Sequence, residues 1–356
     1  TRYRSSAASD VYKRQEYALA GGRINTDALD NSGGVDMSDH EVNLKILLNP
    51  MVAQGELALA DRNTLLKRMT DEVADQVLHN NDVHGRQMSL DVIRSQNDLM
   101  SFSRTIGWAC ARSNVSPADL RLPTHQELSR RAALGMGLTR PELCVLAAHV
   151  KMHVFNDLTS GSPDEIPDFD RRVIGYFPAE IQRDYRDRIL SHMLKPSIGM
   201  TVVANDIIGE AGAWFFPGIL ELTGASAPAV ARAWIHAMAL IDAEGLLAAI
   251  ADSGTSLDVQ YRAWVEVTSA VSSLISLWLS PGESVPDADR QTQIRAVIDR
   301  MAQIAGNTHS ELLRERTDSL SELPDALAAR IAALGDLTIA HELSLIHISE
   351  PTRRYE

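Results

Sequence analysis

Apolar residues recur along most of this chain at the three- and four-residue spacing of amphipathic helices. The first such stripe predicts a helix that begins at Asp61 and ends at Asn80-Asn81. Capping sequences at Thr124 and Thr139, each followed three residues later by glutamate, predict the starts of two more helices. These signals favour an all-α arrangement for this region.

The second half of the chain continues the helical pattern. Apolar stripes and proline or glycine breaks predict further helices over the ranges 178–192, 196–222, 227–242, 256–279, 287–316 and 324–335. We find neither a fixed-period repeat nor an alternation of strands and helices in the sequence. The pattern therefore predicts a mostly α, multi-helix bundle.

The stretch 21–43, GGRINTDALDNSGGVDMSDHEVN, differs from the rest. Its residues predict a short strand over 22–29, then a tight turn at Gly33-Gly34, where glycine allows backbone angles that a Cβ forbids. Ser38 and Glu41 have the spacing of a capping box, which predicts that a helix begins at Ser38. We expect the following His40 to be exposed.

Composition limits the class of protein. The formal net charge is −13, and an acidic surface disfavours nucleic acid and anionic membranes as partners. No apolar run reaches the roughly 18 residues that a membrane span needs. The two cysteines, Cys110 and Cys144, lie in apolar contexts typical of buried thiols in a reducing compartment. We expect a cytoplasmic protein.

The two ends of the chain look foreign to the sequence between them. TRYRSSAASDVYKRQ (1–15) and SLIHISEPTRRYE (344–356) resemble translated sequencing adaptors, and we exclude both as tails from the prediction of the fold. The remaining body is long enough for about two domains.

Several ordered stretches of the body resemble the large bacterial NAD-specific glutamate dehydrogenases. They are DNSGGVDMSDHEVN, MTDEVADQVLHNN, LTRPELCVLAAHVKM, the YFP tripeptide and SHMLKPSIGMTVVANDIIGEAG. The resemblance covers 16–343 and implies two parts. The range 16–60 is expected to be the C-terminal edge, or remnant, of a Rossmann-type catalytic domain, and 61–343 a helical C-terminal domain.

The same resemblance implies a site in the glycine stretch. Asn31 matches a cofactor-binding asparagine that approaches the nicotinamide end of NAD, and Val35 and Ser38 match residues that bind the substrate, with Ser38 facing the γ-carboxylate of glutamate. The implied reaction, part of amino-acid catabolism, converts L-glutamate, NAD and water to 2-oxoglutarate, ammonia and NADH. The family also implies a homo-oligomer. Asp36 departs from the small hexameric members and suits the large class.

Groups that the chemistry requires are missing from the sequence. A dinucleotide-binding fold needs a glycine fingerprint between a strand and a helix, which we do not find, and no lysine matches the catalytic lysine of the family. We therefore assign no catalytic residue and expect an inactive fragment of the enzyme. A free-standing helical scaffold without catalysis is the alternative. His149 and His153 have the spacing of two metal ligands, but no third ligand lies at a useful spacing, so we assign no metal site.

Overall fold

A computed structural model describes residues 13–307, 320 and 322–335 of the chain. Every regular element in these ranges is a helix, which confirms the mostly α prediction. By its internal contacts the chain divides into two units, Thr1–Pro217 and Gly218–Glu356. Of the predicted tails, 1–12 and 344–356 lie outside the described residues, and 13–15 begin the first helix.

Helix α5 is the central element of the first unit, because it packs against α2, α3, α4, α6, α8 and α12. In chain order the helices that begin in this unit are α1 (13–19), α2 (Asp27–Asp30), α3 (Ser32–Ala53), α4 (Leu59–Arg68), α5 (Thr70–Asn97), α6 (Leu99–Ser113), α7 (His125–Ala133), α8 (Arg140–Thr159), α9 (Phe169–Gly175), α10 (Ala179–Asp184), α11 (Arg186–Leu190), α12 (Lys195–Ala211) and α13 (Phe215–Thr223).

The second unit is built around α16 (Leu257–Trp278), which packs against α14 (Ala227–Leu240), α15 (Ala243–Ala251) and α18 (Asp325–Leu334). Helix α17 (Ala288–Asn307) packs against α14 and α18. The predictions of α14, α16 and α18 are confirmed within one or two residues, whereas the sequence pattern missed α15. No single helix in the described residues is long and apolar enough to cross a membrane; α14 and α15 meet that test only as a pair bent by 65°.

Two predicted capping sequences begin helices where expected. At the start of α7 the Thr124 hydroxyl accepts a hydrogen bond from the Glu127 amide at 3.3 Å, and at the start of α8 the Glu142 carboxylate accepts one from the Thr139 amide at 2.8 Å. These bonds satisfy amides at a helix start that have no partner within the helix. Glu142 also forms a buried, two-bond ion pair with Arg131 at 2.8 and 2.9 Å, which joins α7 to α8.

A buried ion pair joins α5 to the end of α12. Asp91 and Arg94 are 0% and 5% exposed, and Asp91 Oδ1 lies 3.0 Å from Arg94 Nη1. Asp91 Oδ2 accepts from the Ala213 amide at 3.1 Å, and Arg94 donates to the Glu210 carbonyl. Gly212, with φ +88°, ends α12 directly against this pair, and a Cβ there would lie 2.1 Å from Asp91 Oδ1. Only glycine provides both the backbone angle and the space.

The strand predicted over 22–29 is wrong. Residues 22–26 have no regular structure, and Asp27–Asp30 form the single turn α2. No strand lies among the described residues to pair with this segment, and an isolated strand would leave its amides and carbonyls without partners. The segment is held by side chains instead: Arg140 Nε donates to Asn25 Oδ1 at 2.8 Å. The Rossmann-type remnant is therefore not observed in the described part of 16–60.

The predicted glycine turn is also wrong, because Gly33 and Gly34 lie within the first turn of α3. This helix begins at Ser32 instead of Ser38. Two glycines in a helix cost about 1 kcal/mol each relative to alanine, so tertiary packing must stabilise this start. Gly34 has a local steric role, since a Cβ there would lie only 3.0 Å from Asn31 Oδ1.

The capping box predicted at Ser38 does not form. Ser38 lies in the second turn of α3, where its amide belongs to the regular helical hydrogen bonding. Glu41 pairs instead with Lys45, four residues further along the same helix. The spacing of serine and glutamate is the same in a capping box and in a continuous helix, so the local sequence does not distinguish the two.

Helix α5 does not end at Asn80-Asn81 as predicted, but continues to Asn97. Both asparagines are used in tertiary contacts: Asn80 Nδ2 donates to Asp36 Oδ2 at 2.8 Å, and Asn81 Nδ2 donates to the Leu29 carbonyl at 3.3 Å. Asparagine favours helix ends when its side chain bonds to the local backbone. Here the side chains bond to the α2–α3 segment, which α5 thereby supports.

Three predicted helices are divided in the structure. The first, predicted from Asp61 to Asn80-Asn81, breaks at Met69 into α4 and α5. The range 178–192 breaks at Tyr185 into α10 and α11, and 196–222 breaks after Gly212 into α12 and α13. The prediction for 287–316 holds from 288 to 307, and 308–316 lies outside the described residues. The apolar pattern continues across all three breaks because residues on each side are buried.

We expect Gly212→Ala to lower the free energy of unfolding of the first unit by about 3 kcal/mol or more. The Cβ would clash with the buried Asp91–Arg94 pair, and breaking such a pair costs about 3–5 kcal/mol. The measurement is the urea midpoint followed by circular dichroism.

Gly135→Ala is the matched control for this prediction. Gly135 also has a positive φ (+67°), but a Cβ added there would have no other atom within 4 Å. Only the backbone cost of about 1–2 kcal/mol therefore applies. Equal effects of the two substitutions would contradict the role assigned to the ion pair.

Candidate functional site

One face of α3 is exposed and carries two of the three site residues predicted from the sequence. Val35 and Val42 are 67% and 49% exposed, and Ser38 lies between them on the same face. Among the described residues, the Ser38 hydroxyl has no hydrogen-bond partner. A hydroxyl flanked by two exposed valines suits contact with a molecule that has both an apolar and a charged part.

Asn31 lies one helical turn before Val35, at the junction between α2 and α3. Its side chain is exposed, and its backbone carbonyl accepts a hydrogen bond from the Gly34 amide at 3.1 Å. The structure therefore brings Asn31, Val35 and Ser38 onto successive turns at one end of α3. An amide side chain at this position is able both to donate and to accept a hydrogen bond.

A different face of α3 is held by a group of polar and aromatic side chains. The Tyr176 hydroxyl donates to Asp39 Oδ2 at 2.8 Å and accepts from Asn43 Nδ2 at 3.0 Å. The Tyr176 ring stacks on the His40 ring with centroids 4.2 Å apart. His192 Nε2 lies 3.2 Å from the Asn43 carbonyl, to which it donates. These contacts hold the middle of α3 on the side away from its exposed face.

His40 is buried, with 3% exposure, so the expectation that it is exposed is wrong. Burial lowers the pKa of His40, although the negative charges of Asp36 and Asp39 act in the opposite direction. Burial also raises the pKa of Tyr176. Neutral side chains at these positions stack and hydrogen-bond, and they carry no charge toward the exposed face. The helical spacing of His40 with the buried Leu44 and Leu47 is a signal that could have identified its burial.

A third group of polar side chains lies beneath the first half of α3. Lys151 Nζ of α8 lies 3.1 Å from His84 Nε2 of α5, and Asp36 of α3 is the carboxylate whose charge acts on this lysine. Burial lowers the pKa of His84 to about 4, with Lys151 as the second cause. Burial lowers the pKa of Lys151 to about 8, against the opposing effect of Asp36. Sequence reasoning missed this group because its three members come from three helices.

The histidine pair considered as metal ligands has a different environment. Ser113 Oγ lies 3.3 Å from His149 Nδ1 and 2.8 Å from His153 Nε2, so the hydroxyl bridges the two rings. In the described ranges no group of three or more His, Cys, Asp or Glu side chains has the arrangement of a metal site. A serine-bridged pair is a structural contact between α6 and α8.

Two known protein families match this chain. Residues 135–355 match the family described as "Glutamate dehydrogenase, C-terminal", and residues 8–91 match "Bacterial NAD-glutamate dehydrogenase, catalytic domain". The second match contains Asn31, Val35 and Ser38, together with His84 of the buried group.

Curated relatives named NAD-specific glutamate dehydrogenase agree with these matches. The protein from Halomonas elongata is 32% identical over 350 residues, which are 95% of this chain and 21% of the relative. Those from Mycobacterium tuberculosis and Pseudomonas aeruginosa are 38% and 40% identical over 225 residues, which are 62% of this chain and 14% of each relative. The chain thus spans about a fifth or less of the length of these relatives. The resemblance drawn from the sequence is confirmed, and the chain belongs to the glutamate dehydrogenase family, of which it matches the C-terminal region and part of the bacterial catalytic domain.

Proposed function

We propose that this chain is part of an NAD-specific glutamate dehydrogenase, in which the exposed face of α3 lines one side of the glutamate pocket. The observation that carries the proposal is the position of Ser38. Its hydroxyl has no partner in the described part of the chain, and it lies between two exposed valines on a helix that is fixed from behind. The family matches support the reaction class: L-glutamate, NAD and water give 2-oxoglutarate, ammonia and NADH.

Ser38 and Val35 have distinct parts in this proposal. The Ser38 hydroxyl donates a hydrogen bond to the γ-carboxylate of glutamate, and a bond to a charged acceptor is among the stronger ones. Val35 contacts the methylene groups of the substrate and excludes water from the carboxylate. Because both side chains project from one rigid helix, they hold the substrate in a fixed orientation.

Asn31 suits only the nicotinamide end of NAD. An exposed amide fits the carboxamide of the nicotinamide ring, through one donated and one accepted hydrogen bond. The sequence has no glycine fingerprint for the pyrophosphate, so the remaining contacts require other parts of the enzyme. When bound, NAD accepts the hydride from the α-carbon of glutamate.

The cellular location and the partners of the enzyme are inferred from its charge and its cysteines. Cys110 and Cys144 are buried free thiols, and the net charge is −13. These features support a cytoplasmic enzyme that binds neither nucleic acid nor membrane. The proposal that the enzyme is a homo-oligomer is based on the family resemblance. In this proposal the region from Asp61 onward supports the α3 face through the packing of α4 and α5 and through the hydrogen bonds of Tyr176.

The chain alone is expected to show no glutamate-dependent reduction of NAD. The glycine fingerprint and the family's catalytic lysine are absent from its sequence, so neither the cofactor nor the reacting carbon is held. The measurement is NADH absorbance with purified chain, and the full-length enzyme is the positive control. Turnover by the chain would contradict the assignment of these roles to other parts of the enzyme.

In the full-length enzyme that contains this chain, Ser38→Ala is expected to raise the KM for glutamate about 10- to 100-fold. The lost hydroxyl–carboxylate hydrogen bond is worth about 1.5–3 kcal/mol. Because Ser38 is not a helix cap here, stability should change by less than about 0.5 kcal/mol. The measurements are steady-state kinetics and a melting temperature.

Two further variants make this test specific. Val35→Asp is expected to weaken glutamate binding more strongly, since it places a like charge beside the γ-carboxylate. Ser273→Ala, on an exposed face of α16, is the matched control and should leave the KM unchanged. An unchanged KM for glutamate in both Ser38→Ala and Val35→Asp would refute the pocket assignment.

A further inference from the structure

The chain has five lysines, and their surroundings divide them into three kinds. Lys13 and Lys67 are exposed, whereas Lys45 and Lys195 are paired with the carboxylates of Glu41 and Asp170. Lys151 is half-buried, and its amine contacts an imidazole instead of a carboxylate. The described residues give it no ion pair within 4.0 Å.

The contact between Lys151 and His84 suits a neutral amine. If the lysine is an ammonium group, His84 Nε2 accepts and the proton of the neutral ring lies on Nδ1, a buried atom without a partner among the described residues. A buried donor without an acceptor costs about 1–3 kcal/mol. If the amine is neutral, it accepts from Nε2–H, and the buried Nδ1 is left as an acceptor without a partner among the described residues. With an imidazole in place of a carboxylate at contact distance, the ammonium form of Lys151 lacks the partner that usually stabilises it.

Asp36 of α3, a helix that packs against α5, is the carboxylate that favours the ammonium form of Lys151. The Asp36 carboxylate also accepts a hydrogen bond from Asn80 Nδ2 at 2.8 Å and lies 3.8 Å from His40 Nε2. The charged residues Arg112 of α6 and Asp206 and Glu210 of α12 form ion pairs with residues other than Lys151. Their partners are Asp157, Arg172 and Arg86, respectively. The lowered pKa of Lys151, about 8, agrees with this setting.

We propose that Lys151 is a site of covalent modification by small acyl donors such as thioesters and anhydrides. The lone pair of the neutral amine attacks the acyl carbonyl carbon and forms an N–C bond. The bond to the leaving group breaks, the thiolate or carboxylate takes its electron pair, and the proton lost by the amine passes to solvent. Desolvation of a lysine amine lowers its pKa and activates it as a nucleophile, and burial is the main cause of the lowered pKa of Lys151.

Acylation would remove the positive charge that faces Asp36. Because Asp36 belongs to α3, the modification would alter the charge directly beneath the face that carries Ser38. The reactivity of the amine itself does not depend on the proposed function, so the test below stands whether or not α3 binds glutamate.

The test is competitive labelling of the whole chain with trace acetic anhydride, followed by peptide mapping of each lysine by mass spectrometry between pH 6 and 10. At pH 7.5 about a quarter of an amine with the pKa of Lys151 is neutral, against about 0.1% at the ordinary lysine pKa of about 10.4. Allowing for partial burial, we expect Lys151 to acylate about tenfold faster than Lys67, with a midpoint near pH 8. The urea-unfolded chain should show equal rates at both lysines.

Asp36→Asn provides a second, independent measurement. It removes the carboxylate that favours the ammonium form while keeping an oxygen that accepts from Asn80, so Lys151 should react faster still at pH 7.5. Asp75→Asn, an exposed site on α5, is the matched control and should have no effect. Acylation of folded wild-type Lys151 no faster than that of Lys67 at pH 7.5, or an excess that persists in urea, would overturn the proposal even if the variant failed to fold.

Discussion

The buried ion pair between Asp91 and Arg94 is the interaction on which the first unit depends. It places two charges where water does not reach, so each must be satisfied by protein groups, and the Ala213 amide and Glu210 carbonyl provide them. This requirement fixes α5 to the end of α12 and makes glycine necessary at position 212. Since α5 also packs against α2, α3 and α8, its position determines where the candidate site lies.

The faces of α3 differ in chemistry because, in the part of the chain that the structure describes, its packing partners contact only one side of the helix. Asn80 of α5 and the Tyr176 hydroxyl bond to the carboxylates of Asp36 and Asp39, and the Tyr176 ring covers His40. The face with Val35 and Ser38 has no such cover in the described residues. A substrate-binding surface needs a rigid support and an open front, and both follow from this packing.

Periodicity and capping chemistry were sufficient to predict most of the fold, because those signals are local. The starts of α7 and α8 were predicted from Thr124 and Thr139, whose capping bonds involve residues three positions away. The start of α3 was not, since Ser38 and Glu41 have the same spacing in a cap and in a continuous helix, and contacts with α5 decide between the two. The proximity of Asp36, His84 and Lys151 was likewise beyond sequence reasoning, because it depends on how three helices pack. The site residues Asn31, Val35 and Ser38 were predicted from resemblance alone, and their roles remain proposals.

A structure of the full-length enzyme with bound glutamate would measure the decisive distance directly. We predict that Ser38 Oγ lies about 2.5–3.0 Å from an oxygen of the γ-carboxylate, with α3 helical from Ser32 onward. A Ser38 hydroxyl bonded to another part of the protein, with glutamate bound away from the Val35–Ser38 face, would contradict the account of α3 as a wall of the substrate pocket.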